Sequence, residues 1–236
     1  MHLSAAVAKI NKWAVRKGGD TLEAIERPDG GISLVLVDGQ SSGVAAKQIS
    51  IWVVRKVVTE LAEGVRDGAA ARAANDMLYV LRGGKVSATL VILTADLAAR
   101  ELVITRFGAP PVFVMTAEEG LRLLPGETPP LGHHRHARPA VEVLPLQPGA
   151  LVCGFTDGLV HAGSRTGRRL DLLPAISDLW ERSPVAQDLA DGLLERAMAL
   201  DAGRPTDDTS IAVLQVLAGE GTGPRYMGIE MPVPDV

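Results

Sequence analysis

The sequence predicts an α+β fold built on antiparallel strands. Short apolar or alternating runs cluster in the middle of the chain, two long helix-like segments precede them together, and regular strand–helix–strand alternation is missing. With 236 residues the chain can bury roughly 70–75 % of its unfolded surface in one core, so it needs no disulfide or partner to fold. Apolar residues make up 47 % and charged residues 22 %, which excludes wholesale disorder.

The elements follow in order. Residues 3–16 fit a helix with Leu3, Val7, Ile10 and Ala14 on one face, or equally a strand of alternating apolar positions; Lys17-Gly18-Gly19-Asp20 breaks either. Pro28-Asp29-Gly30-Gly31 is a turn signal between 21–26 and 32–37, which read as a β-hairpin. A tight polar loop follows, Asp38-Gly39-Gln40-Ser41-Ser42-Gly43. Over 44–63, Ala45, Ile49, Val53, Val57 and Leu61 recur every four residues; the β-branched middle allows a strand, but twenty residues without a breaker favour a helix. A second helix is expected from Asp67, as its N-cap, to Gly83-Gly84.

The runs 86–94, 101–107 and 111–116 read as an antiparallel meander, 125–139 as irregular, and 141–146 and 150–156 as further strands. Ser183-Pro184 looks like a helix start, with Ser as N-cap, Pro at the first position and Val185, Leu189, Leu193 and Ala197 as the apolar face. Asp207-Asp208-Thr209 leads into a final strand, 210–216. One domain is expected over 1–218, with a Gly/Pro-rich tail over 219–236. Trp13, Trp52 and Trp180 are expected in or beside the core.

A net charge of −4 and a pI near 5.8 give no general attraction to nucleic acid or to an anionic membrane. The longest clean aliphatic run, 32–37, is far short of the ~20 residues of a membrane helix. The first residues lack the pattern of a signal peptide, and a cytoplasmic location is expected. A lone Cys153 forbids an internal disulfide and a cysteine-based zinc site.

The candidate chemistry lies in aspartates. Asp-Gly pairs stand at Asp29, Asp38, Asp67, Asp157 and Asp191, and each is first of all a turn dipeptide. Only Asp38 and Asp157 end buried-looking strands, where a carboxylate sits on a rigid element at its rim, as a metal ligand needs. Asp207-Asp208 precedes a buried strand, and Asp20 follows Gly18-Gly19 at the start of another. If these acids converge on one sheet edge they repel one another, and a hard, oxygen-seeking cation such as Mg²⁺ or Mn²⁺ offsets that repulsion.

These segments resemble known motifs. Asp38-Gly39-x-x-x-Gly43-x-x-Ala46 resembles the first metal motif of the protein phosphatase 2C superfamily, Thr156-Asp157-Gly158 its later one and Asp207-Asp208-Thr209-Ser210-Ile211 its last. Gly19-Asp20 is similar to the early Gly-Asp of the bacterial SpoIIE and RsbX branch. Ser87-Ala88-Thr89-Leu90 and Gly108-Ala109-Pro110-Pro111 resemble that branch's central strand and glycine turn, so the likeness runs over residues 18–217.

The resemblance implies a sandwich of two packed antiparallel β-sheets flanked by helices, and a phosphatase domain over 1–218. It implies a serine/threonine phosphatase that uses a metal-activated water and two, or three, Mn²⁺ or Mg²⁺ ions. In that reading Asp38 bridges two ions, the Gly39 carbonyl touches one, Asp157 and Asp207 complete the other, and Asp20 binds directly or through water. Asp38, Asp157 and Asp207 are then the catalytic set, with Asp208 behind them. The implied partner is a phosphorylated bacterial regulator of the STAS-domain anti-anti-sigma or stressosome type, with the enzyme a monomer or weak dimer.

Two departures stand out: Gln40 occupies the place of a family histidine proposed as general acid, and Ser41 stands where the bacterial branch commonly has Gly. They motivate two rival readings, a phosphoprotein-binding module without turnover and a phosphomonoesterase for small molecules. His133-His134-Arg135-His136 reads as a solvated loop next to Leu131-Gly132, able to shape substrate access, rather than a metal cluster. Arg165, Arg168 and Arg169 follow the Asp157 motif; a bidentate guanidinium suits phosphate, so Arg165 or Arg168 is a candidate to steer substrate, against the plainer reading of a solvated loop.

Overall fold

The computed structural model describes residues 1–40, 43–108, 110–124 and 128–232; Ser41 lies outside the described residues. Among the described residues ten strands and five helices run in the order β1 (His2–Ile10), β2 (Thr21–Glu26), β3 (Gly31–Gly39), α1 (Gly43–Ala62), α2 (Asp67–Arg82), β4 (Ala88–Asp96), β5 (Glu101–Phe107), β6 (Val112–Thr116), β7 (Gly120–Leu124), β8 (Ala140–Pro145), β9 (Leu151–Phe155), α3 (Asp157–His161), α4 (Leu172–Arg182), α5 (Ala186–Leu200) and β10 (Thr209–Leu217). They form two five-stranded antiparallel sheets, β1-β10-β9-β6-β7 and β2-β3-β4-β5-β8. Among the described residues no helix is long and apolar enough to cross a membrane.

Side-chain parity builds the layers. Successive strand residues point to opposite faces, so Leu34 and Leu36 of β3 meet Ala212 and Leu214 of β10 between the sheets. Val35 and Val37 face the other way, onto Ile49, Val53 and Val57 of α1 and Ala70, Ala74 and Leu78 of α2. Ile211 and Val213 of β10 face outward onto Leu189, Leu193 and Ala197 of α5. Central strands are therefore buried on both faces, and their sequences read as continuous aliphatic runs. Residues 3–16, open between helix and strand, divide: up to Ile10 they form β1, whose Ala6 and Ala8 pack under the helices while Val7 and Lys9 stay exposed, and residues 11–16 form a loop.

The structure corrects several expectations. The meander breaks after β5. Gly108 turns with a φ of +52°, Pro130 presses against it, and Leu131 takes the place beside Ala88. The next strand, β6, joins the other sheet between β9 and β7. Helices α3 and α4, and strand β7, carry no signal that the sequence reading used. Asp67 is not a cap: Arg66 holds that position, and the Asp67 carboxylate is buried, accepting a hydrogen bond from Thr94 and pairing with Arg27 at 3.3 Å. Ser183 closes α4 rather than opening α5, which starts after Val185. There the buried Gln215 of β10 accepts from the Ala186 N–H at 3.1 Å, so a strand side chain supplies the cap. Trp13 is 56 % exposed, with the Arg204 guanidinium 5.4 Å from its ring centroid, and does not belong to the core.

Candidate active site

Strands β3 and β9 end, and β2 and β10 begin, at the same end of the sandwich. Parity carries the inter-sheet face onward: Leu34 and Leu36 lead to Asp38, Val152 leads through Gly154 to Thr156, and Leu214 and Ala212 lead back to Ser210. The mouth between the sheets is thus lined by polar groups where the apolar core stops.

Asp20 is 1 % exposed. Its Oδ2 accepts from Thr156 Oγ1 at 2.9 Å and Ser210 Oγ at 2.7 Å, while its buried Oδ1 has no hydrogen-bond partner among the described residues. Burial pushes its carboxyl above the usual range against those two hydroxyls. Burial, then the charges of Asp20, Asp157 and Asp207, pushes the Asp38 carboxyl up to about 9. Asp157, the first residue of α3, is raised by burial and by Asp207. Asp20, Asp38, Asp157 and Asp207 thus act on one another as neighbouring charges. Among the described residues no three His, Cys, Asp or Glu side chains close into a ligand cage.

Two glycines hold the acids in place through close backbone approach rather than turn geometry. A Cβ on Gly39 would lie 2.2 Å from the Ala46 carbonyl oxygen of α1, and one on Gly158 would lie 2.1 Å from the Asp208 carbonyl oxygen. Neither glycine has a positive φ, unlike Gly30 of the Asp29 hairpin turn at +94°. The Asp-Gly pairs at 38 and 157 therefore belong to a different structural class from the hairpin turn.

Asp208 faces the loop of residues 11–19. Its Oδ1 accepts from the Lys12 N–H at 2.8 Å and its Oδ2 from the Gly19 N–H at 2.5 Å, which ties the backbone before Asp20 to the start of β10. Gln40 is clasped to β4: its N–H donates to the Ser87 carbonyl at 3.0 Å, and its Oε1 accepts from the Ser87 N–H at 2.8 Å. Arg165 donates to the carbonyl of Asp201 at 3.2 Å, bracing the loop before Asp207, while Arg168 is exposed. The loop at 133–136 is exposed and is held by Asn75, which accepts from Gly132 N–H and donates to the His134 carbonyl.

Sequence reasoning missed several participants. Lys9 Nζ and Lys47 Nζ both donate to the Asp20 carbonyl, at 2.7 and 2.5 Å. Burial, then the charge of Lys9, lowers the Lys47 ammonium. His161 stands one helical turn after Asp157, Nδ1 to Oδ2 3.9 Å, a spacing legible only once α3 is known to be a helix. Thr156 and Ser210 lie within the Thr156-Asp157-Gly158 and Asp207–Ile211 motifs, yet nothing local marked their hydroxyls as partners of Asp20.

The donor set fits hard divalent cations. It consists of oxygens alone, includes a buried carboxylate oxygen with no hydrogen-bond donor, and has carboxyls raised first by burial and then by one another's charges.

The family model for stage II sporulation protein E (SpoIIE) matches residues 28–217. No curated protein matches this chain. Among solved structures, the PP2C phosphatase domain with a fragment of the regulatory domain of SpoIIE from Bacillus subtilis superposes with a TM-score of 0.78 at 20 % identity, covering 92 % of this chain and 64 % of that one. The RsbU and RsbW domains of Rv1364c from Mycobacterium tuberculosis give 0.73 at 24 % identity, covering 92 % and 61 %. RsbX in complex with magnesium gives 0.70 at 16 % identity, covering 91 % and 96 %. The chain thus spans less than two thirds of the first two. With a family match over most of its length, this chain belongs to the SpoIIE family, and its two-sheet sandwich is the fold of the PP2C phosphatase domain of SpoIIE.

Proposed function

We propose that the chain is a phosphoprotein phosphatase that hydrolyses phosphoserine or phosphothreonine with divalent cations held by Asp20, Asp38, Asp157 and Asp207 and by the Gly39 carbonyl. One observation carries the reading. At the mouth between the sheets, where the end of β3 faces the starts of β2, α3 and β10, burial and then the charges of Asp20, Asp157 and Asp207 push Asp38 up to about 9, a self-repulsion that bound divalent cations would offset. Bound there, a pair of Mg²⁺ or Mn²⁺ ions would lower the pKa of a water and offset charge on the phosphoryl oxygens.

The protein's own part is positional. Thr156 and Ser210 hold one oxygen of Asp20 and leave the other, beside Asp38, free to ligate a cation. Asp208 fixes the loop before Asp20, and Gly39 and Gly158 let α1 and α3 close on the strand ends. Gln40 has no ionisable proton, and its Oε1 is engaged by Ser87, so the departing seryl oxygen takes its proton from water. By the family likeness the substrate is a bacterial regulator of the STAS-domain type.

Phosphate release from p-nitrophenyl phosphate and from a phosphoserine peptide should require Mn²⁺ or Mg²⁺ and fall about a hundredfold or more in Asp38→Asn. Turnover equal to the variant's overturns the proposal. Peptide binding without turnover favours a phosphoprotein-binding module, and preference for sugar phosphates a small-molecule enzyme.

A further inference from the structure

The loop of residues 11–19, ordered by Asp208, opens beside the acid pocket into a groove of about 370 Å³ lined by Asn11, Arg16, Lys17, Gly18, Lys47 and Ile51. That volume lies within the roughly 300–1,000 Å³ of small-ligand sites. Arg16, Lys17 and Lys47 give the groove three cationic side chains, and Lys9 shares the Asp20 carbonyl with Lys47, although the net charge is −4. Arg16 and Lys17 are exposed, and among the described residues no carboxylate lies within ion-pair distance of either. Lys47 joins groove and site directly, because its ammonium donates to the Asp20 carbonyl.

The loop is fixed rather than loose. Trp13 N–H donates to the Pro205 carbonyl at 2.9 Å, and Ala14 holds a φ of +63°, a costly conformation for a residue with a Cβ. A fixed cationic wall beside an acidic pocket is a two-part reader: cations take the pocket, and acidic side chains take the wall.

We infer that this groove binds acidic residues flanking the phosphorylated residue of the protein substrate, with Arg16 and Lys17 setting the preference for their charge. The inference rests on the phosphatase reading and deepens it. A peptide is the favoured occupant over a nucleic acid because the cationic wall is short, three side chains beside an acidic pocket in a chain of net charge −4, where a polyanion would meet repulsion beyond it.

The test uses two fluorescent phosphoserine peptides of equal length, one flanked by Asp and Glu and one by Lys, with the wild type and the charge-reversed R16E/K17E. Binding is followed by fluorescence anisotropy in EDTA, and kcat/KM is measured with Mn²⁺. The wild type should prefer the acidic peptide by about tenfold at low salt and lose that preference as ionic strength rises. R16E/K17E should invert the preference, and the neutral R16Q/K17Q should abolish it. Equal binding of both peptides by the wild type, an unchanged preference in R16E/K17E, or equal affinity for an oligonucleotide of matched charge overturns the inference. If p-nitrophenyl phosphate is not hydrolysed by the wild type, the phosphatase reading fails, while anisotropy still scores the groove.

Discussion

At the scale of single residues, the decisive quantity is the charge that Asp38 is forced to share. Its carboxyl sits at about 9 in the metal-free fold against an ordinary 3.8, because burial and three neighbouring carboxylates disfavour a fourth negative charge. The folded chain therefore keeps a proton that the unfolded chain releases above about pH 4. Stability is fully present below that value and is lost as pH rises towards 9; Asp20 and Asp157 are raised too and add with the same sign. Scanning calorimetry in EDTA should show the melting temperature falling from pH 5 to pH 8.5. Asp38→Asn should flatten that slope, and saturating Mn²⁺ should remove it, because cation binding selects the ionised form.

At the scale of elements, the site depends on how closely helices approach strand ends. Gly39 lets α1 pack on the end of β3, and a methyl group there meets the Ala46 carbonyl backbone at 2.2 Å, which no side-chain rotation relieves. Gly39→Ala should cost about 2–3 kcal/mol and lower the melting temperature by roughly 5–10 °C. Gly43→Ala, whose Cβ meets nothing within 4 Å, is a control for the backbone effect of a positive φ alone. Both are read by thermal unfolding followed by circular dichroism. A small loss at Gly39 would mean that α1 slides without harm and does not fix Asp38.

At the scale of the whole molecule, the first and last strands meet. β1 pairs along its full length with β10, His2 opposite Leu217 through Ile10 opposite Thr209. Such long loop closure makes folding slow relative to helical proteins of similar size. It also means that β10, which carries Ser210 and follows Asp207 and Asp208, becomes an unprotected edge without β1. Removing residues 1–10 should abolish the cooperative melting transition, and with it metal-dependent stabilisation, in calorimetry with and without Mn²⁺.

What the sequence determined by itself were properties set by near neighbours. The hairpin of β2 and β3 is written in Pro28-Asp29-Gly30-Gly31, the helix α1 in a four-residue apolar repeat, and the ordered acidic motifs were enough to name the family. Only the tertiary structure decided which groups meet across distance. Asp20 takes hydrogen bonds from Thr156 and Ser210, 136 and 190 positions away, and no local pattern encodes such partners. The same holds for β6, which left its neighbours for the other sheet, and for Asp67, whose turn-like dipeptide conceals a buried pair with Arg27. Trp13 errs in the opposite sense: a large aromatic reads as core, yet its loop is pinned outside by the hydrogen bonds that the Asp208 carboxylate accepts from the Lys12 and Gly19 N–H groups. Periodicity reports which face an element hides, but not which partner hides it, because that choice is made by the packing of all the layers together.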